Sequence, residues 1–259
     1  MADYGLITKN EYGGVQIDSM FQNFVLQESK NITLNFIRDD LPRSGEVVFV
    51  VPIPSSSVPP LIAIKPNSSD FFVSILGYTM QNGAYNGMYI TGGKGSNLLD
   101  PGRFSINFDY IVGRGIGTAP SGAYGMAVYD SNGKVCFHSS YRYLKILSTH
   151  DFVLPAPIPY DDTYPYTGTY PYVDISHPGV YNPYYILTPN WAAAGTAEYT
   201  GGPPPNHFSS IVQISVGMKR LSTESVRIGT FVFNRGVIQG NPIPFYFRTA
   251  PFTLLTCTV

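Results

Sequence analysis

Cys136 and His138 stand two residues apart in an alternating apolar segment. A strand there puts thiol and imidazole on one face, the placement a nucleophile and its base would need. A buried inert thiol beside a strand-edge histidine meets the same spacing. Asp161 and Asp162 form an acidic pair suited in principle to calcium or acid–base work, but neighbouring acids in a Tyr/Pro-rich stretch are ordinarily solvated. No carboxylate pair set for glycoside hydrolysis is legible. Gly92, Gly93, Lys94 and Gly95 approximate a phosphate loop, yet Met88 stands where its first glycine belongs and Gly95 replaces the magnesium-binding Ser or Thr. Gly113, Arg114, Gly115 and Gly117 are followed by no helical pattern that could supply an N-terminal dipole, and they read as a flexible connector. His138, His150, His177 and His207 have no zinc spacing, and Cys136 and Cys257 lie far apart. The reading is a non-enzyme with no catalytic residue, metal ligand or cofactor.

Recognition by aromatic side chains is the chemistry that the sequence does offer. Tyr160, Tyr164, Tyr166, Tyr170, Tyr172, Tyr181, Tyr184, Tyr185 and Trp191 fall in one Pro-rich stretch. Tyrosines give large contact area at low entropic cost and stack on sugar rings. Packing on neighbouring subunits, with no ligand touched, accounts for the same residues.

The elements that would position them follow from composition. The 259 residues include 26 Gly and 22 Pro, which excludes a helical bundle or coiled coil. Hydrophobic residues make up 44%, enough to bury a core and exclude bulk disorder. A net charge of -1 argues against nucleic-acid binding through a basic face. Charged residues are only 13%, and 20 Tyr accompany them, the pattern of a surface covered by neighbours. A secreted β-protein with a Ser/Thr/Asn surface fits the numbers too. Residues 1–6 carry no basic-then-apolar leader, and the apolar stretch 47–64 contains four prolines. The expectation is synthesis in a cytoplasm, reduced cysteines and no membrane insertion.

The most specific feature is a repeat. At a constant offset of 120, Tyr4, Gly5, Gly13, Val15 and Ser19 recur as Tyr124, Gly125, Gly133, Val135 and Ser139. Conservative pairs include Asn10 with Asp130, Ile17 with Phe137, Phe21 with Tyr141, Phe24 with Leu144 and Leu26 with Ile146. Each copy (4–26 and 124–146) reads as a β-hairpin, with Asn132 and Gly133 supplying positive φ to the second turn. Further short strands are expected at 31–37, 46–51, 61–65, 71–79, 87–91, 103–112, 209–217, 227–233, 244–248 and 252–256. Turn clusters such as 54–57 and 81–83 separate them, which indicates an all-β chain, a β-sandwich of short antiparallel strands.

One division of the chain gives a sandwich over 1–150 holding both hairpins, a Tyr/Pro/Gly-rich irregular arm over 151–205 and further strands over 206–259. A second gives two tandem units, each opening with a hairpin. Residues 155–189 hold eight prolines and eight tyrosines, with no Lys or Arg between Lys145 and Lys219. Such an arm is expected to leave its own subunit and lie along a neighbour, or to plug a groove between domains.

The hairpin phrase resembles one that small tailed-bacteriophage and prophage proteins carry twice, "YGL-x-V … G … V-x-F-D-S-x-Y-R". Tyr4, Gly5, Gly13, Asp18 and Ser19 match in the first copy; Tyr124, Gly125, Val128, Gly133, Phe137, Ser139, Tyr141 and Arg142 match in the second, where His138 replaces the favoured Asp. The resemblance covers residues 1–150 and carries no functional residues over. It implies a virion structural protein of the tail tip, baseplate or fibre, acting in assembly and host attachment, with other virion proteins as partners. A homo-oligomer is expected, a trimer by preference. A receptor-binding protein contacting a host surface glycan or pilus and a capsid decoration protein are the alternatives.

Overall fold

The computed structural model describes residues 7–9, 15–18, 24–38, 48–93, 102–115, 124–130, 132–154, 171–188, 192–200, 208–239 and 251–259. The described residues form strands and no helix: β1 (Ile7–Lys9), β2 (Val15–Asp18), β3 (Phe24–Arg38), β4 (Val48–Ser56), β5 (Leu61–Pro66), β6 (Phe72–Gln81), β7 (Ala84–Gly93), β8 (Gly102–Gly115), β9 (Ala127–Tyr129), β10 (Val135–His138), β11 (Lys145–Val153), β12 (Tyr172–Ser176), β13 (Tyr184–Thr188), β14 (Ala192–Thr200), β15 (Phe208–Ser222), β16 (Ser225–Gln239) and β17 (Pro251–Thr258).

Period-2 patterning decides these elements. In β8, Ile106, Phe108, Tyr110 and Val112 are buried on one face, while Arg103, Ser105, Asn107 and Asp109 alternate with them on the other. Pro52 and Pro54 lie inside β4 because it is an edge strand, where a missing N–H breaks no ladder. The turn expected at 54–57 is therefore largely strand, with its pairing interrupted between Pro52 and Ser56. Gly113, Arg114 and Gly115 are likewise not a connector. They end β8, opposite Leu26, Val25 and Phe24. The strand expected at 244–248 lies outside the described residues.

Two antiparallel sheets form a sandwich. One has the order β11-β17-β13-β5-β8-β3, and the other the order β12-β16-β15-β6-β7-β4, with β14 added to β15. Leu34, Phe36, Phe108, Tyr185, Phe252 and Leu254 of the first meet Val51, Met88, Ile90, Val216, Val226 and Ile228 of the second in one core.

Each sheet divides in the middle. β13 joins β5 through the single pair Tyr185 and Ile64, and β15 joins β6 through Met218 and Val73. On one side lie β3 to β8, ordered β5-β8-β3 and β6-β7-β4. On the other lie β11 to β17, ordered β13-β17-β11 and β15-β16-β12. Exchange β3 to β8 for β11, β12, β13, β15, β16 and β17 in turn, and one half becomes the other, with β14 an insertion.

Register confirms the correspondence. Leu26, Glu28, Ser29, Asn31 and Ile32 oppose Gly113, Val112, Ile111, Asp109 and Phe108. Shifted by 120 in the first strand and 144 in the second, these become Ile146, Ser148, Thr149, Asp151 and Phe152 opposing Cys257, Thr256, Leu255, Thr253 and Phe252, the observed pairs. Even the register shift recurs, between Leu26 and Glu28 and between Ile146 and Ser148. The hairpins obey the same rule. Ile7, Thr8 and Lys9 oppose Asp18, Ile17 and Val15, and Ala127, Val128 and Tyr129 oppose His138, Phe137 and Val135.

The halves meet through equivalent residues. Leu144 N–H donates to the Phe24 carbonyl at 3.0 Å, and Leu26 N–H to the Arg142 carbonyl at 2.7 Å. The pairing of Tyr185 with Ile64 likewise sets Ile186 opposite its counterpart Ala63. Around this local dyad Ala63, Ile111, Ile186 and Cys257 form a second buried cluster, joined by Leu26, Leu61, Leu144 and Leu255.

The boundaries placed at 150 and 205 therefore do not separate sheets, because strands from 145–258 complete both sheets begun by 24–115. Nor do the described residues of the arm leave the body. β12 pairs with β16 and β13 with β17, burying Ile175, Ile186 and Leu187 in their own subunit. Proline punctuates these strands instead of preventing them.

Candidate functional site

The second hairpin explains its motif. Gly133 has φ +76° and closes the turn, while Asp130 Oδ1 accepts the N–H groups of Asn132 and Lys134, each at 2.8 Å. A Cβ on Gly125 would sit 2.3 Å from Ser139 Oγ, which instead accepts Met126 N–H at 2.9 Å. The recurrent Gly and Ser are thus one contact. Phe137 stacks on Tyr143 at 5.0 Å, and His138 Nδ1 lies 2.7 Å from Ser140 Oγ. Cys136 points its thiol at the Lys134 carbonyl, 3.7 Å away. Cys136 and His138 are both buried in this packing. Tyr124, the motif's tyrosine, is 100% exposed, and Met126 and Tyr129 are exposed beside it.

Of the nine aromatic candidates, Tyr160, Tyr164, Tyr166, Tyr170 and Trp191 lie outside the described residues. The other four do not form one platform. Tyr185 is core, because strand alternation turns it inward while Tyr184 faces out; burial raises its hydroxyl pKa. Tyr181 is exposed on the crossing between β12 and β13. Tyr172 is exposed, with the Arg227 guanidinium 3.8 Å above its ring. Arg227 also donates to both Asp174 oxygens at 2.7 Å, holding that carboxyl below its ordinary pKa.

The most organised polar set lies elsewhere, on the outer face of β3, β8 and β5. Asp109 pairs with Lys65 and accepts from the amides of Asn31 and, at 3.1 Å, Asn67. Asn107 Oδ1 accepts from Asn67 at 2.9 Å and Asn31 at 3.1 Å, and its own amide donates to Asn31 Oδ1 at 2.9 Å and Thr33 Oγ1 at 2.8 Å. Ser105 donates to Asn35 at 2.6 Å. Burial works to raise the Asp109 pKa, but the hydrogen bonds from Asn31, Lys65 and Asn67 and the Lys65 charge outweigh it and hold the carboxyl low. Lys65 Nζ lies 5.3 Å from the Tyr184 ring centroid, bringing one of the aromatic candidates to the edge of the set. The face can present fixed donors and acceptors. Asp109 is its one carboxylate, so it lacks the acid–base pair of a glycosidase.

Sequence reading missed this face, because its members are scattered over three strands and only register assembles them. A signal was present: Asn and Asp are depleted in strands, yet Asn31, Asn35, Asn107 and Asp109 occupy them.

At the other end of the core, His150 and His177 rings lie 5.1 Å apart, and His177 is buried beside Thr256 and Tyr185. Burial, then the neighbouring His150, lowers the His177 pKa. Both cysteines are free and buried, and burial pushes the Cys257 thiol up to about 12. Among the described residues no group of three or more His, Cys, Asp or Glu could hold a metal ion, and no helix is long and apolar enough to cross a membrane. Asp161, Asp162 and His207 lie outside the described residues. No family model, curated protein or solved structure matches the chain.

Proposed function

We propose that this chain is a non-enzymatic structural component of a bacteriophage tail (tail tip, baseplate or fibre), acting in virion assembly and host attachment. The observation that carries the reading is the fully exposed Tyr124. Within the motif that resembles the phage proteins, Gly125, Gly133 and Ser139 serve the hairpin's own geometry, and the tyrosine is held by no contact among the described residues. An aromatic side chain left exposed at the open end of a hairpin is a contact for another molecule. Other virion proteins are the natural partners of such a side chain, and a homo-oligomer, a trimer by preference, gives it several copies. The test is a density map of the intact particle, with incorporation of a Tyr124→Ser variant measured beside the parent chain. Tail density fitted by this sandwich, with incorporation reduced in the variant, supports the proposal. Density in the capsid shell would favour a decoration protein, and absence from the particle would end the reading.

A further inference from the structure

We propose that the outer face of β3, β8 and β5 is a binding site for a neutral glycan, with Asn31, Asp109 and Lys65 recognising sugar hydroxyls, Asn107 positioning them and Tyr184 flanking them. The proposal extends the attachment part of the reading above, but its argument comes from the comparison of the two halves.

The duplicated halves supply an internal control. By register, the places of Asn31, Asp109, Lys65 and Asn107 are filled in the second half by Asp151, Thr253, Thr188 and Pro251. There Thr253 Oγ1 donates to Asp151 at 2.6 Å and Thr188 Oγ1 to the Thr253 carbonyl at 3.4 Å, from two threonines that suit a strand. At these four places the same backbone stands with neither amide nor cation, so Asn31, Asn107 and Lys65 are not what holds these strands together; the counterpart of Asn67, Asn190, lies outside the described residues. The set's residues oppose local strand preference at four positions, and departures of that kind concentrate at functional sites.

The chemistry of the set selects the ligand. Asn107 spends both amide hydrogens and both oxygen lone pairs on Asn31, Thr33 and Asn67, so it holds the array in place, and Asn31, Asp109 and Lys65 together supply the acceptors and donors that complement a hydroxyl. Lys65 neutralises Asp109, so the Asn31, Asn107 and Asp109 cluster carries no net charge of its own, and the one cation further along this face of β8 is Arg103, four residues before Asn107. Cross-strand bonds of 2.8–3.1 Å already fix the side chains, which lowers the ordering cost of binding. With one carboxylate, kept ionised, the face binds without cleaving.

The test applies the intact chain to an array of neutral hexose and N-acetylhexosamine oligosaccharides alongside sialylated and uronic-acid glycans. Asn107→Thr and Lys65→Thr give the first half threonines like those at the corresponding face of the second, and Thr253→Val alters the counterpart face. Binding to neutral glycans is expected, weakened about tenfold by each of the first two variants, which is about 1.4 kcal/mol, and unchanged by the third. Circular dichroism and melting of the variants separate loss of binding from loss of fold. The proposal is overturned by absence of binding to every neutral glycan, by preference for the acidic ones, or by equal binding of parent and face variants. It is also overturned if Asn107→Thr dissociates an oligomer, since a second copy would then cover the face. No particle is involved, so a negative array leaves the tail reading standing, and a failed incorporation leaves the array result standing.

Discussion

The two halves of this chain share strand order, register and even the place of a bulge, yet beyond the hairpins few of the same side chains. Phe108 and Phe252 occupy equivalent, fully buried places, and so do Tyr110 and Leu254, but only Tyr110 reaches out to donate a hydrogen bond to Glu28, at 2.7 Å. On the outer face Asn31, Asp109 and Lys65 stand where Asp151, Thr253 and Thr188 stand in the other half. Backbone pairing and the inward apolar pattern are therefore what the fold requires, and the outward residues are free to diverge.

The sharpest way to break that equivalence is in the core. Phe108→Ala and Phe252→Ala should each cost about 3–5 kcal/mol in chemical denaturation, with similar values for the pair. A large difference would mean that one half carries the stability of both. At the dyad, Ile186→Ala should cost about 2–4 kcal/mol, and a single cooperative transition should persist because both sheets cross the junction. Two separate transitions would instead show halves that fold independently.

Acid should distinguish the halves. The folded pKa of His177 lies below its unfolded value, so the unfolded chain takes up the proton first. Stability then falls as pH drops below about 6.5, and this loss belongs to the second half. Asp109 has a carboxyl held below 3.8, so its contribution in the first half survives to lower pH and is lost as pH falls beneath that value. Melting temperatures from pH 8 to 3, with His177→Gln as comparison, check the order. An unchanged profile in His177→Gln would remove the histidine from the account. The smallest expected effect is that of Asn107→Thr on stability, within about 0.5 kcal/mol, because threonine's strand preference offsets the lost hydrogen bonds. A loss well above that would give the amide face a structural role after all.

Much of this architecture was legible from residues. The all-β class followed from Gly, Pro and period-2 patterning, and the offset of 120 located the paired strands of both hairpins and the turn of the second. The extent of the duplication was not legible. Beyond Leu26 the pairs Ser29 with Thr149, Asn31 with Asp151 and Ile32 with Phe152 keep polarity, and from 27 to 38 the single identity at this offset is Leu34 with Leu154. The offset then changes to 123 between β5 and β13 and to 144 between β8 and β17, because the intervening loops and β14 differ. A constant-offset comparison fails once loop lengths diverge. The prolines of 171–188 misled for a related reason: they sit between short strands, where composition reads as irregular although Tyr184 to Thr188 pair fully. The amide face escaped because its members lie on β3, β5 and β8, far apart in the chain, and meet only through pairing.

The place of β17 sets a timetable for the chain's birth. It lies between β11 and β13, and β11 has no other sheet neighbour among the described residues. While a ribosome is still making residues before 251, β11 therefore waits with an unfilled edge, and Phe252 and Leu254 are missing from the common core. The first half can pair β3, β5 and β8 early, but the molecule as a whole closes only after β17 emerges. Completion joins segments a hundred residues apart, the kind of non-local pairing that puts folding at milliseconds to seconds.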